Sequence, residues 1–458
     1  MSLFTTINTA LSGLLAQQQA LEITGNNVAN AQTPGYHRQQ AVLSGSPATA
    51  PVSPSAILLS AGVNVADITA SRNAFLARQS DGLSGQVGRW SLGQQSLTSI
   101  QSVIAPGSNL DLSSMLDNFF GAWQQLAADP ETSANRNAVQ SAGETLANTL
   151  NNQANQLSAL AQQTTADLTT RVDKINTLAD TLAQLNQQIA VAQASGTTPN
   201  DLLDQQETTR NAIAQLAGTT TLSGNSGEQI TNLGGRALVE GAVANHLSVA
   251  NGQVVWADQP SQAATIHSGE IAGIQELQQT VIPGYQTQLD DIARTLANTV
   301  NALHNNANNA TGAYTATGTA AGDFFTGTTA ASIAVDPGIV ADAGQIAAAK
   351  TASTPGDGSV ANAIAQVAKQ LLIGNQTLGQ AAQGMLGQIG TAVQSAQTNL
   401  QASQALQTQV QTQQASQSGV SIDEEMSNLL VYQHAYEASA HVMSVANDML
   451  STFLSDMH

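Results

Sequence analysis

The 458-residue chain is acidic yet sparsely charged: Lys and Arg number 12 against 31 Asp and Glu, a formal charge of −19, and charged residues are only 9% of the whole. Three lysines and nine arginines give no basic surface for nucleic acid or an anionic membrane. Cysteine is absent, which excludes disulfides and thiol chemistry, and no apolar run is long enough to span a membrane.

The length allows two or three domains. The first residues have neither a basic n-region nor a short apolar h-region, so no cleaved signal peptide is expected and export would need another route. The spacing predicts a helix over residues 3–30. Asn26, Asn27 and Asn30 loosen its end, and Thr33, Pro34 and Gly35 stop it, since Pro cannot continue a helix and Gly accepts a positive φ. Residues 36–43 read as a strand, a loop with Pro47, Pro51 and Pro54 follows, and 63–68 alternates as a second strand. Helical periodicity resumes over 71–104. A compact helix over 110–128 gathers Met115, Phe119, Phe120, Trp123 and Leu126, an aromatic density that marks a core in a chain with 3% aromatics.

The longest helix is predicted over 133–193, with Leu168, Ile175, Leu182 and Ile189 seven apart. Sixty residues at about 1.5 Å each span roughly 90 Å. Asn200 is expected to cap the next helix, with Asp201 in its first turn. From 219 to 267 the period changes to two, and Asn251-Gly252 between two apolar runs signals a hairpin. Residues 273–306 are helical again, 308–331 read as loop, and 333–335 form a short extended stretch. Helices follow over 359–372 and 378–416. Ser421 and Glu424 are expected to form a capping box that starts a last helix.

Both ends carry seven-residue repeats. Ile7, Leu14, Leu21 and Val28 form one row at the start, and Leu3, Ala10, Gln17 and Thr24 the other. At the end, Ile422, Leu429, Tyr436, Met443 and Leu450 form one row, and Met426, Gln433, Ala440, Asn447 and Leu454 the other. Repeats of this kind fit supercoiled helices, or two amphipathic helices closing an ordinary domain. Glu22 is the only charge before Arg38, and no Lys or Arg follows Lys369. Outer faces of Gln, Asn, Ser, Thr and Ala either meet protein or are weakly charged and solvated. The first helix has few large apolar side chains (Leu11 among them) for its length. We therefore expect both ends to be mobile in the monomer and to fold on assembly.

Residues 26–36, Asn-Asn-Val-Ala-Asn-Ala-Gln-Thr-Pro-Gly-Tyr, resemble the N-terminal signature of flagellar axial proteins, and Ala10 to Leu14 fit it too. Residues 199–205 (Pro-Asn-Asp-Leu-Leu-Asp-Gln), 268–274, 322–325 and 333–348 resemble segments of the hook-associated protein 1, or FlgK, family. So do residues 418–425 with Leu429, Tyr432, Gln433 and Tyr436. The resemblance implies a mainly α protein with a smaller β part. Its terminal helices, residues 1–36 and 420–458, would pair as a coiled coil called D0. Residues 37–218 and 273–419 would form a long-helix D1 bundle, with 219–272 its β-hairpin region. Assembly through Leu3, Ile7, Leu11, Leu14, Leu21 and Val28, and through Ile422, Met426, Leu429, Tyr436, Met443, Leu450 and Leu454, is expected. Asn26, Asn27, Asn30, Thr33, Pro34, Gly35 and Tyr36 would form the signature turn.

The resemblance further implies a structural subunit at the junction of hook and filament, exported by the flagellar type III system. Expected partners are further copies in a ring, the hook protein, the second junction protein (hook-associated protein 3) and an export chaperone at the C-terminal region. Neither nucleic acid, membrane insertion nor a cofactor is expected. The sequence departs from the family in three places. Only residues 326–332 separate Phe325 from Ile333, so the large outer D2 insert of many relatives is expected to be missing. After the Leu-Leu-Asp-Gln run, where relatives usually have Arg and Asp, this chain has Gln206, Glu207 and, further on, Arg210, so the family's ion pair there is not carried over. Gln275 and Glu276 stand where a basic residue is usual.

Other readings of the residues are another axial protein, such as hook protein or the second junction protein, and a secreted coiled-coil hydrolase or adhesin. The predicted 133–193 helix argues against hook protein, whose middle is mostly β. No nucleophile–base set lies between 219 and 267. His434, Glu437 and His441 could share a helix face as metal ligands, but the histidines lie seven apart, and an exposed or intersubunit face fits better. The triplet Asp423, Glu424 and Glu425 sits where carboxylates stabilise a helix dipole, which fits better than a catalytic acid pair.

Overall fold

The computed structural model describes residues 3–46, 62–105, 107, 111–224 and 229–456, with Leu3 and Ser223 as backbone only. The predicted loop prolines 47, 51 and 54 lie outside the described residues. Helix α1 (Leu3–Asn30) leads into an antiparallel ribbon of β1 (Gln39–Gly45) and β2 (Val63–Ala70), which lies along α1. Four helices follow: α2 (Ala74–Ile104), α3 (Leu112–Ala128), α4 (Ser133–Ala194) and α5 (Asn200–Ala217). Strands β3 (Thr220–Ser223), β4 (Gln229–Leu233), β5 (Arg236–Glu240) and β6 (Val243–Ala244) form an antiparallel meander. A second meander contains β7 (Leu247–Ala250), β8 (Gln253–Trp256) and β9 (Gln259–Ala263). The turn between β7 and β8 is Asn251-Gly252, with φ 51° and 75°, the left-handed pair that a two-residue hairpin requires.

Helix α6 (Gly269–Glu276) passes through a wide π turn, Leu277–Val281, into α7 (Ile282–His304). Pro283, which has no N–H to donate, stands at the start of α7. A hairpin of β10 (Phe325–Thr326) and β11 (Ala334–Val335), then α8 (Pro337–Ala341) and α9 (Ser359–Ala365), lead to α10 (Leu378–Ser418) and α11 (Ile422–Ser455). The fold is mainly α with small antiparallel sheets. Thr326 pairs with Ala334, so β10 and β11 join directly and no D2 domain is inserted there.

Helix α4 runs through two cores. Its first half, Val139 to Leu157, packs with α3, α7, α9, the 313–348 segment and the start of α10 around Trp123, Phe119, Phe324 and Phe325, all at most 1% exposed. Its second half, Leu168 to Ala183, packs with Ile213, Ile271, Ile274 and the inner faces of both meanders. Near the elbow where the terminal helices meet this body, α2 and α10 share a small apolar cluster of Leu76, Leu83 and Val410.

Glycine sets how closely the helices of the body approach. A Cβ on Gly88 of α2 would lie 2.2 Å from the Gln215 carbonyl oxygen of α5, and one on Gly85 would lie 3.1 Å from that of Ala214. Gly88→Ala is therefore expected to lower stability despite a helix-propensity gain of about 1 kcal/mol. The two backbones must part, an overpacking cost of about 1–3 kcal/mol. A melting temperature at or above that of the unsubstituted chain would refute the close crossing.

Four local expectations change. The first strand starts at Gln39 because residues 36–38 are tied into the elbow. Asn200 does not cap α5: the N-cap is Pro199, and the Asn200 amide instead donates to the Ile68 carbonyl at 2.6 Å and accepts from Arg72 at 2.8 Å. The helix expected over 359–372 ends at Ala365 and tightens to a 3₁₀ turn, Gln366–Lys369. At α11 only half a capping box forms. Ser421 Oγ accepts from the Glu424 N–H at 3.5 Å, while the Glu424 carboxylate turns to Arg38. A full box forms instead at the start of α10, between Thr377 and Gln380.

Candidate assembly interface at the elbow

Helices α1 and α11 lie antiparallel, with Gly13 beside Ser439 and Asn27 beside Glu425. On α11 the residues turned inward are Glu425, Leu429, Tyr432, Tyr436, Ser439, Met443, Ala446 and Leu450, an alternating four-three spacing. On α1 they are Ala10, Gly13, Gln17, Ala20, Thr24 and Asn27, and Ala16 and Ile23 are buried as well. On α11 the second row thus sits one residue before the row read from the sequence; on α1 the row of Ala10, Gln17 and Thr24 holds, and Gly13, Ala20 and Asn27 take the place of the row of Ile7, Leu14, Leu21 and Val28. The reason is size. A Cβ on Gly13 would lie 3.1 Å from Ser439 Oγ, so the seam closes over small side chains.

Part of the large apolar set is left outside the seam as a result. Ile7, Leu14, Leu21 and Val28 are half-buried, as are Leu429, Tyr436, Met443 and Leu450. Leu11, Ile422, Met426 and Leu454 are exposed, together with Phe4, Leu15, Val442, Met449 and Phe453. Leu3 lies in α1, its side chain outside the described part.

The signature turn builds a buried polar clasp. Asn27 is 1% exposed and uses its whole amide. Its Nδ2 donates to the Gln39 carbonyl at 2.8 Å and to Glu425 Oε2 at 2.9 Å. Its Oδ1 accepts from the Tyr36 hydroxyl at 2.8 Å and from the Gln39 N–H at 3.0 Å. A buried amide so satisfied is fixed in place, and no apolar residue of its size could replace it without orphaning these groups. Asn30 closes the turn: its Oδ1 accepts from Thr33 Oγ1 at 3.2 Å, and its carbonyl accepts from the Thr33 N–H. Gly35 has φ +80°, and a Cβ there would lie 2.7 Å from Thr208 Oγ1 of α5. Asn26 and Pro34 are exposed.

Two ion-pair groups flank Asn27. Arg38 Nε lies 2.6 Å from Glu425 Oε1, and its other arm is 2.9 Å from Glu424. The Arg38 N–H donates to the Ser418 carbonyl at the α10–α11 break. Burial opposes the Arg38 charge, but Glu425 and Glu424 outweigh it and raise its pKa. On the other side, His37 Nδ1 is 2.8 Å and Arg72 is 2.5 Å from Asp204 Oδ1. Tyr36 stands between the two groups; burial, then Asp201, Asp204 and Glu425, push its phenol up to about 12. Deeper in, Arg210 meets Asp81 at 2.7 Å with both side chains buried, so this chain does have an ion pair after the Leu-Leu-Asp-Gln run.

His37, Arg38, Arg72, Asp204 and Glu425 were not read as a site in the sequence. One signal was available: in the seam's true register Glu425 is a carboxylate in a core row, which demands a partner. His434 Nδ1 is 3.6 Å from Glu437 and both are exposed, as is His441. Among the described residues no three metal-capable side chains converge.

A terminal helix pair is thus clasped to a two-core helical body, and two family models match at these ends. Residues 7–37 match a family model described as flagella basal body rod protein, and residues 411–457 match the C-terminal model of flagellar basal body rod FlgEFG proteins. These place the chain among flagellar axial structural proteins. Residues 97–325, half the chain, match the flagellar hook-associated protein FlgK helical domain, and the chain belongs to the FlgK, or hook-associated protein 1, family. It is 27% identical over 507 residues to flagellar hook-associated protein 1 of Bacillus subtilis, covering 100% of this chain and 99% of that one. The Salmonella typhimurium protein of the same name is 27% identical over 334 residues, 70% of this chain and 59% of the relative. The fold is similar to the flagellar hook junction protein FlgK from Burkholderia pseudomallei, with a TM-score of 0.63 at 17% identity, covering 75% of this chain and 100% of that one.

Proposed function

We propose that this flagellar hook-associated protein is the structural subunit that joins hook to filament. The observation that carries the reading is the set of large apolar side chains left exposed on α1 and α11, among them Phe4, Leu11, Leu15, Met449 and Phe453. One chain leaves them uncovered, and packed neighbours in a ring would cover them. In this reading residues 1–36 and 420–458 form D0, residues 37–218 and 273–419 form D1, and 219–272 is its β subregion. The ribbon of β1 and β2 rides on α1. Export runs through the flagellar type III system, with a chaperone on the C-terminal region. Hook protein lies on one side of the ring and hook-associated protein 3 on the other.

A deletion strain tests the role. Cells that build hooks but shed flagellin monomers into the medium support it, whereas normal filaments on that strain refute it. The exposed rows also suggest that the turns of α1 and α11 beyond the clasp stay mobile until assembly, which delays polymerisation until after export. Limited digestion of the monomer with a nonspecific protease is expected to trim both ends and leave a body that melts cooperatively. Ends as resistant as the body, or a body that unfolds once trimmed, would contradict this.

A further inference from the structure

Phe75 and Arg78 stand one turn apart near the start of α2, both exposed. Phe75 is 66% exposed and, among the described residues of the body, is the only exposed phenylalanine. Among the described residues Arg78 is also the one arginine without a hydrogen bond or ion pair; the other eight are engaged. Beside Arg78 opens a cleft of ≈ 250 Å³ that Arg72 and Arg210 also line. Those two meet Asp204 and Asp81, yet the buried Arg72 Nε has no partner. Phenylalanine and arginine are both enriched in protein interfaces relative to the rest of the surface. Here they face outward from a chain with 19 surplus negative charges.

The complementary face is on the same chain. At the end of α11, Val445, Met449 and Phe453 are exposed four residues apart, with Asp448 and Asp456 alongside, and no Lys or Arg follows Lys369. Among the described residues neither aspartate has an ion pair. We propose that this apolar, acidic face of one copy docks on Phe75 and Arg78 of a second copy, with Phe453 against Phe75 and an aspartate on Arg78. A chain cannot make the contact with itself. Its α11 starts at the elbow beside Arg38 and α2 starts there too, as Ser71 and Asn73 bond to Gln417. Phe453 lies 28 residues beyond Glu425, about 40 Å along the helix.

The contact rests on the ring reading above, and the chain's lack of cysteine allows a clean test. Hooks with their distal subunits are isolated from cells making the Phe75→Cys, Phe453→Cys double variant and oxidised with copper phenanthroline. The expected result is a ladder in multiples of 47.0 kDa that neither single variant gives. Adding Arg78→Glu should abolish the ladder, and Asp448→Arg with Asp456→Arg should restore it. If the protein is present on hooks with maleimide-reactive cysteines but gives no ladder, the contact is wrong. Cross-linking to a different subunit, or through one cysteine alone, is equally against it. Absence of the unsubstituted chain from hooks would instead overturn the junction reading, and the contact with it.

Discussion

The Glu425→Ala chain is expected to keep its body folded while its terminal helices come away at the elbow. Glu425 is 1% exposed and holds Arg38 Nε at 2.6 Å and Asn27 Nδ2 at 2.9 Å. Removing it leaves a half-buried guanidinium with only the exposed Glu424, and leaves one amide proton of Asn27 unbonded. Breaking a buried pair from one side costs about 3–5 kcal/mol. Because Glu424 retains part of the Arg38 charge, about 2–4 kcal/mol is expected here. The apolar cluster at this point is small (Leu76, Leu83 and Val410), so packing cannot compensate. Hydrogen exchange should speed up over residues 24–38 and 422–432 and stay unchanged around Trp123. In cells the variant should be exported yet shed flagellin. Glu425→Gln, which keeps one acceptor and gains a donor, should fall between. Equal protection in both regions would mean that the seam, and not the clasp, holds the elbow.

How much of this was legible depends on the range of the interactions. The 62-residue α4 and the Asn251-Gly252 hairpin follow from neighbours in sequence: seven-residue spacing in one case, two left-handed residues in the other. The pairing of the two terminal helices was legible as a pattern but not in register. Hydrophobicity marks Ile7, Leu14 and Leu21, whereas close approach is decided by Gly13, Ala20 and Ser439, which carry no hydrophobic signal. The clasp joins residues up to 398 positions apart, so no local rule reaches it. The Asn27 of the signature looked like a helix-end residue because Asn often is one. Its buried, four-bonded amide appears only when Gln39, Tyr36 and Glu425 converge. The body follows the same division. Phe119 and Trp123 announced a core, but nothing around His304 announced that an ionisable ring would close it.

That ring should make the body sensitive to acid. His304 is fully buried, and both nitrogens are committed to the neutral form. Nδ1 faces the Gly322 carbonyl at 2.7 Å and must donate, which leaves Nε2 to accept the Ala347 N–H at 2.8 Å. A second proton would set two donors against each other. The ring also packs edge-on to Trp123 and Phe324, and the charges that face it are Asp323, Asp336 and Arg136. Burial dominates and lowers its pKa from 6.5 to about 4. The unfolded chain therefore takes up a proton below pH 6.5 that the folded chain refuses until about pH 4. Stability from this group is present above the unfolded value and is lost as pH falls through that window. One proton over the shift amounts to about 3 kcal/mol. In His304→Gln, whose Oε1 can still accept from Ala347, this contribution should vanish. Urea unfolding of both chains at about pH 7 and about pH 4 isolates it, because the carboxylates titrate alike in each. The unsubstituted chain should lose about 3 kcal/mol more than the variant. Equal losses would mean that the ring is protonated in the fold, with the Ala347 N–H bonded elsewhere.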